Sequence, residues 1–341
     1  MSVCRHSRST YSFDNVLITS QAAVVGPMEG EGPLGAYFDR IWPSDLNNHD
    51  SSEQAEEALL AEAQNLAVSK AGVEWSGIDL VMGGDLLDQL VSTNFAARAH
   101  QTPLLGLFSA CAVFTESLGL GALAIAGGGP KNVLAAAGSH HLSAERQFRY
   151  PLELGYQKAP TASWTSTAAG ACLLTEGKAS KGGDLILESV TFGQVMDWGS
   201  KNPNDMATAM APAAFDTIKR HCEDMERDIS YYDQVYTGDL GMLGIELLDA
   251  TARQVGLMWS PQLNDCGKSL YDIERQDVHN GGSGPGCSAS VFSGFLCRQL
   301  KSGEFHRLLL VSTGALFSPT SYQQGESIPA IAHAVAISRR N

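Results

Sequence analysis

The 341-residue chain carries 37 acidic and 23 basic residues, a formal net charge of −14, which excludes non-specific nucleic-acid binding and electrostatic docking on an anionic membrane. Hydrophobic residues make up 44% and charged residues 18%, enough apolar material for two packed units and far from the composition of a disordered chain. Seven cysteines without disulfide or zinc spacing, and a polar start lacking a signal-peptide core, predict a reducing intracellular compartment.

In chain order, Ser51-Ser-Glu-Gln54 offers a capping box. It leads into a helical recurrence of Ala58, Leu59, Ala63, Leu66 and Ala67,. A strand follows around Leu80. Residues 104–129 hold one formal charge, Glu116, over a length able to span a bilayer. Ser109, Thr115, Ser117 and a glycine-rich end make it a strand, a small-residue turn at Cys111 and a buried helix instead. Asn132-Val-Leu-Ala-Ala-Ala-Gly138 is the next strand, then a loop rich in basic and aromatic residues, and an apolar run at Ala171-Cys-Leu-Leu174. The polar stretch 176–183 reads as a link. Beyond it the pattern returns: a helix over 211–226, a strand at Val235, a helix at Cys287, and strands at Leu308-Leu-Leu-Val-Ser-Thr-Gly314 and Ala334-Val-Ala-Ile337.

The return is a duplication. Ile78-Asp-Leu-Val-Met-Gly-Gly-Asp-Leu86 matches Tyr232-Asp-Gln-Val-Tyr-Thr-Gly-Asp-Leu240 at an offset of 154 (239 − 85), and Cys111 matches Cys287 at 176 (287 − 111). The second copy therefore carries about 22 extra residues, expected within 259–283. Two α/β halves follow, residues 14–178 and 184–338. Continuous apolar strands separated by helices require a sheet covered on both faces. Ligands in such folds bind beyond the carboxyl ends of the strands, where Asp85, Cys111, His140, Asp239 and Cys287 fall. A thiol at a helix start meets unpaired N–H groups and the positive end of the helix dipole, so Cys111 is placed as a thiolate nucleophile. The alternative is a space-filling buried cysteine.

Two matched halves with a cysteine opening the buried helix of the first resemble the thiolase and ketoacyl synthase superfamily over essentially the whole length. That resemblance implies an α/β fold of two duplicated halves, each with a five-stranded mixed sheet, in αβαβα layers. Gly32-Pro-Leu-Gly35, Gly84-Asp-Leu-Leu87, Ser139-His140, Ala144-Glu-Arg-Gln-Phe-Arg-Tyr-Pro151, Ala209-Met-Ala-Pro-Ala213, Asn264-Asp-Cys-Gly267, Gly281-Gly-Ser-Gly284 and Ser327-Ile-Pro329 with Ala332-His333 are similar to the stage V sporulation protein AD family. This second resemblance implies binding of pyridine-2,6-dicarboxylate (dipicolinate), free or as its calcium chelate, and its uptake into the developing spore. It further implies no cofactor, a peripheral place at the forespore inner membrane, and membrane-embedded partners encoded in the same operon. The superfamily resemblance implies a homodimer.

The enzyme reading fails at the catalytic partners. The thiolase Asn-Gly-Gly…Gly-His-Pro pattern falls at Asn280-Gly-Gly-Ser-Gly-Pro-Gly-Cys287, without the histidine, and the Cys-x-Gly-x-Gly pattern falls near Ile328-Pro-Ala-Ile-Ala332, without cysteine or glycines. The ketoacyl synthase histidine aligns near Asp239. A nucleophile without a base is weakened at its first step, and a Claisen condensation also needs donors aimed at the enolate oxygen. Acyl transfer through Cys111, with His140, His279 or His333 substituting in space, is the alternative function.

A flat dicarboxylate calls for planar donors, backbone amides and a slot for its ring. The segment from His140 to Pro160 places Arg146, Arg149 and Lys158, the three candidates for ligand contact, among Phe148, Tyr150 and Tyr156, although arginines in loops equally bridge domains. His140 and His333 are candidate donors or buried structural histidines. Thr93 and Asn94 are candidate wall donors. Asp85, Asp88, Asp239 and Asp265 offer carboxylates to a calcium chelate, but their spacing is not that of an EF-hand, and no resident metal is expected. Met206 and Met210 are assigned to core or interface.

Overall fold

The computed structural model describes residues 3–148, 158–178, 182 and 184–340. Ten strands carry the main path of one mixed sheet: β1 (Val16–Val25), β2 (Leu80–Gly84), β3 (Leu104–Gly106), β4 (Asn132–Ser139), β5 (Ala168–Glu176), β6 (Leu185–Thr191), β7 (Gln234–Thr237), β8 (Leu263–Asp265), β9 (Arg307–Ala315) and β10 (Ala330–Arg339). Their spatial order is β8-β7-β9-β10-β6-β1-β5-β4-β2-β3. Read outward from the centre, β1-β5-β4-β2-β3 and β6-β10-β9-β7-β8 are the same five-strand order twice. The halves meet where β6 pairs antiparallel with β1, Leu185 opposite Ile18 and Ile186 opposite Leu17.

The main helices are α1 (Ser52–Ala71), α2 (Val91–Arg98), α3 (Val113–Ala126), α4 (His141–Phe148), α5 (Met206–Asp224), α6 (Gly241–Gln254) and α7, which runs from Pro285–Ser290 through a π-helical stretch Val291–Leu296 into Cys297–Ser302. α3 packs against strands of both halves, and α7 against β1, β4 and β5. These two form the central layer, α1 and α5 cover the outer faces, and the result is αβαβα. Alternation along β9 and β10 shows why both faces of these strands are largely apolar. Leu308, Leu310, Val335 and Ile337 join the central core, while Leu309, Val311, Ala334 and Ala336 meet the outer helix. Gly170 marks the tightest approach: a Cβ there would lie 2.2 Å from the Ala289 carbonyl oxygen of α7, so only glycine lets that helix seat.

Local signals account for most boundaries. Ser51 caps α1 by accepting from the Gln54 amide at 3.3 Å, and the Gln54 side chain returns to the amide of Asp50 at 3.2 Å. The helix expected from residue 211 starts earlier, because Asp205 caps it by accepting from Thr208. The stretch after His140, expected as a loop, opens as the helix α4. Residues 104–129 divide into β3 and α3, and no described helix is long and apolar enough to cross a membrane. The extra chain of the second half is a short helix, Cys266–Leu270, and the loop reaching the strand Gly282–Ser283.

Candidate functional site

A cavity opens where the strand ends of the two halves meet. Its floor is a two-stranded parallel ribbon taken from both halves, Trp164–Thr165 beside Gly282–Ser283. Its walls come from Leu86, Phe108, Ala110, Cys111, the α4 residues Ala144, Glu145 and Phe148, the α5 side with Pro203, Met206 and Met210, and Ala315 and Phe317 after β9. It encloses about 60 Å³, room for a few water positions at ~10–15 Å³ each and so for a small molecule. Among the described lining residues the walls are largely apolar and aromatic, with Cys111, Glu145, Thr165 and Ser283 as the polar points.

The turn carrying Cys111 is shaped by two constraints. Ala110 adopts φ +50°, uncommon for a residue with a Cβ. Gly314 of β9 lies so close beneath that a Cβ there would sit 2.2 Å from the Ser109 carbonyl oxygen. Cys111 precedes Ala112, the residue that caps α3, and is half-buried.

Its partner is Asp239, which follows β7 and is 1% exposed. Asp239 accepts from Thr313 Oγ1 at 2.7 Å, Ser283 Oγ at 3.1 Å and the Gly284 amide at 3.2 Å, and its charge acts on the Cys111 thiol. Burial pushes the Asp239 carboxyl up to about 6, against the lowering effect of these donors. Burial first, and then the Asp239 charge, push the Cys111 thiol well above its ordinary value. Loss of water and the Asp239 charge therefore oppose the thiolate that the helix start favours,. A cysteine–histidine dyad gains from forming an ion pair, whereas ionising Cys111 here would set two anions against each other. Among the described residues lining the cavity there is no histidine.

The other expected ligand contacts scatter. His140 is fully buried, with Nε2 2.9 Å from the Asp45 carbonyl oxygen and Nδ1 accepting from the Leu142 amide; both ring nitrogens are engaged in holding the fold. Arg146 points outward to Glu53 at 3.1 Å with its side chain 59% exposed, a surface ion pair away from the cavity. Asp85 accepts from the Leu87 amide and from the amide and hydroxyl of Thr93, so these two residues brace the turn after β2. Asn94 donates to the Gln89 carbonyl on the surface. His333 lies on β10, accepting from the Gly193 amide at 3.1 Å, and burial holds it at about 4; it is a core residue. Asp265 takes the amides of Leu240, Gly241 and Lys268 and the Thr237 hydroxyl, again a structural brace. No described group of three or more histidine, cysteine or acidic side chains is placed to hold a metal. Arg149 lies outside the described residues.

Lys158 is not one of the described residues that line the cavity; it lies 3.1 Å from the lining residue Glu145, with its ammonium 4.3 Å from the centre of the Trp164 ring. His141 stacks on that ring at 3.7 Å. Met206 and Met210, assigned to core or interface, line the cavity. Glu145, Thr165 and Ser283 escaped the sequence reading, although Ser283 stands in the very segment where a thiolase histidine was sought.

The family model of stage V sporulation protein AD matches residues 7–338. The chain belongs to the stage V sporulation protein AD family. Stage V sporulation protein AD of Bacillus subtilis (strain 168) is 40% identical over 333 residues, covering 97% of each chain. Solved structures place the fold among condensing enzymes. OleA of Xanthomonas campestris, in a cerulenin-bound crystal, superimposes with TM-score 0.63 at 13% identity, covering 98% of this chain and 99% of that one. The 3-oxoacyl-[acyl-carrier-protein] synthase III of Aquifex aeolicus VF5 gives 0.57 at 13%, covering 95% and 99%. At such identities the likeness is one of fold. Family membership assigns the chain to sporulation.

Proposed function

We propose that this protein binds dipicolinate in the Cys111 cavity without transforming it, for uptake of the ligand into the developing spore. The observation that carries this reading is the lining around Cys111: the described residues of the cavity include no histidine to act as its base, and the buried carboxylate of Asp239 acts on the thiol instead. The apolar, aromatic walls suit a flat ring, and the polar points at Cys111, Thr165 and Ser283 suit its oxygens and nitrogen. The calcium chelate carries less net charge than the free dianion, which favours it in a cavity whose described lining has no basic residue. The protein acts at the forespore inner membrane as a peripheral subunit beside membrane-embedded proteins of its operon, and as a homodimer.

Titration calorimetry of the purified protein with dipicolinate, with and without calcium, tests this. Saturable heat that weakens in Cys111→Ala is expected, and no heat or competition at millimolar dipicolinate sinks the proposal. Acyl transfer is the second reading, favoured by the condensing-enzyme fold and by a cysteine facing a cavity. It requires an adduct on intact mass after incubation with acyl thioesters, abolished by Cys111→Ser.

A further inference from the structure

We infer that the N-terminal hairpin is a strap held on the second half by a one-way chain of hydrogen bonds that runs from Arg227 to Asp224 through His221. The hairpin pairs Val3–Arg5 with Thr10–Phe13. β6 pairs with β1 at Leu185 and Ile186, and Thr10–Phe13 takes over its edge at Ser189, Val190 and Thr191. The strap thus fills the place where the two half-sheets part. Its turn is anchored on Asp224, the last residue of α5, which accepts from Ser7 Oγ at 2.6 Å and from Thr10 Oγ1 at 2.5 Å. A carboxylate is disfavoured at the negative end of a helix dipole, so these two hydroxyls offset an otherwise unfavourable position.

The direction of the chain follows from counting hydrogens. A hydroxyl has one to give, and Thr10 gives it to Asp224. Thr10 therefore accepts from Thr191, 2.9 Å away. Thr191, its own hydrogen spent, accepts from His221 Nδ1 at 2.8 Å. Burial holds His221 down at about 3, with Arg227 and His6 adding to the effect and Asp224 opposing it, so the ring is neutral and carries its one hydrogen on Nδ1. The lone pair left on Nε2 takes the Tyr232 hydroxyl at 2.6 Å, and the Tyr232 oxygen accepts from Arg227 Nη1 at 3.3 Å. Arg227 is fixed by Glu188 at 2.9 Å and by the Tyr231 ring, whose centre lies 4.1 Å from the guanidinium carbon. Thr10, Thr191, His221 and Tyr232 are all buried. Bonds aligned head to tail away from water polarise one another, so the whole chain locks the strap, and cutting a link loosens it.

Nitrogen NMR of protein labelled at its histidines reads the tautomer directly. In His221, Nδ1 should appear protonated and Nε2 unprotonated. The signals are assigned by their loss in His221→Gln or, should that variant not fold, by their shift in Tyr232→Phe. Hydrogen exchange reads the lock. Thr10→Val cuts the chain at Asp224, and loss of a hydrogen bond to a charged group should speed exchange of the hairpin amides by at least about tenfold. Arg8→Ala, an exposed hairpin substitution outside the chain, should leave that exchange as in wild type. A His221 ring protonated on Nε2, or on both nitrogens, overturns the inference. So does hairpin exchange that stays at the wild-type rate in Thr10→Val, or that rises equally in Arg8→Ala. The tautomer remains decisive should Thr10→Val fail to fold.

Discussion

Asp239 should leave a signature in how stability depends on pH. In the unfolded chain its carboxyl ionises near 3.8, and in the fold at about 6. Between these values the folded protein holds a proton that the unfolded chain has released, so stability falls as pH rises through the window. Below pH 3.8 the group costs nothing, and above pH 6 the whole cost is present. A rise from 3.8 to about 6, at about 1.36 kcal/mol per pH unit, amounts to about 3 kcal/mol. Asp239→Asn removes the ionisation and leaves a pH-independent offset, because its amide group now faces the Gly284 amide and the Ser283 hydroxyl. Urea unfolding of both proteins from pH 4 to 7.5 isolates the term, since every other titrating group cancels in the difference. From pH 4 to 7.5 the variant's relative stability should climb by about 2.5 kcal/mol and level off above about pH 6 to 7. A difference that stays flat over this range refutes the placement of a buried charge beneath Cys111.

Other substitutions separate bracing residues from the cavity. Asp265→Ala strands three backbone amides and a hydroxyl, and should cost at least ~3 kcal/mol in urea unfolding; a loss under 1 kcal/mol contradicts the bonding described. Gly314→Ala drives a methyl group into the Ser109 carbonyl and should both lower stability by about 1–3 kcal/mol and weaken dipicolinate binding, because the Cys111 turn must move. Arg146→Ala removes only an exposed ion pair and should change stability by less than ~0.5 kcal/mol with ligand affinity intact. A clear loss of binding in that variant places Arg146 at the ligand after all.

The duplicated fold was legible because its cause is local. Buried strands such as Asn132–Ser139 are apolar through their middle, Val133 to Ala137, and the Gly-Asp-Leu turn after β2 and β7 recurs because each half bends its chain in the same way. The position of Cys111 was legible for the same reason. The identity of the ligand-facing side chains was not, since it depends on rotation about a helix whose orientation only tertiary packing decides. Neighbouring residues on α4 point about 100° apart. Arg146 drew attention as a cation, yet it reaches Glu53, 93 positions earlier, while the adjacent Glu145 faces the cavity. His140 and His141 divide in the same manner, the first captured by Asp45, 95 positions away, and the second stacked behind the cavity floor. The raised thiol of Cys111 needed Asp239 in space, 128 residues distant (239 − 111).

The floor ribbon ties the site to the order in which the chain is made. Trp164 and Gly282 pair across 118 residues (282 − 164), and Phe317 must also arrive before the walls close. A ribosome adding about 5–20 residues per second therefore completes the first half, Cys111 included, well before any pocket exists. During that interval the cysteine turn and the inner face of the first sheet lack their cover, and exposed apolar surface and unpaired strands favour association with other chains. Expressing residues 14–178 alone would reproduce that interval permanently: a half that contains the cysteine, carries an uncovered core face, and binds nothing.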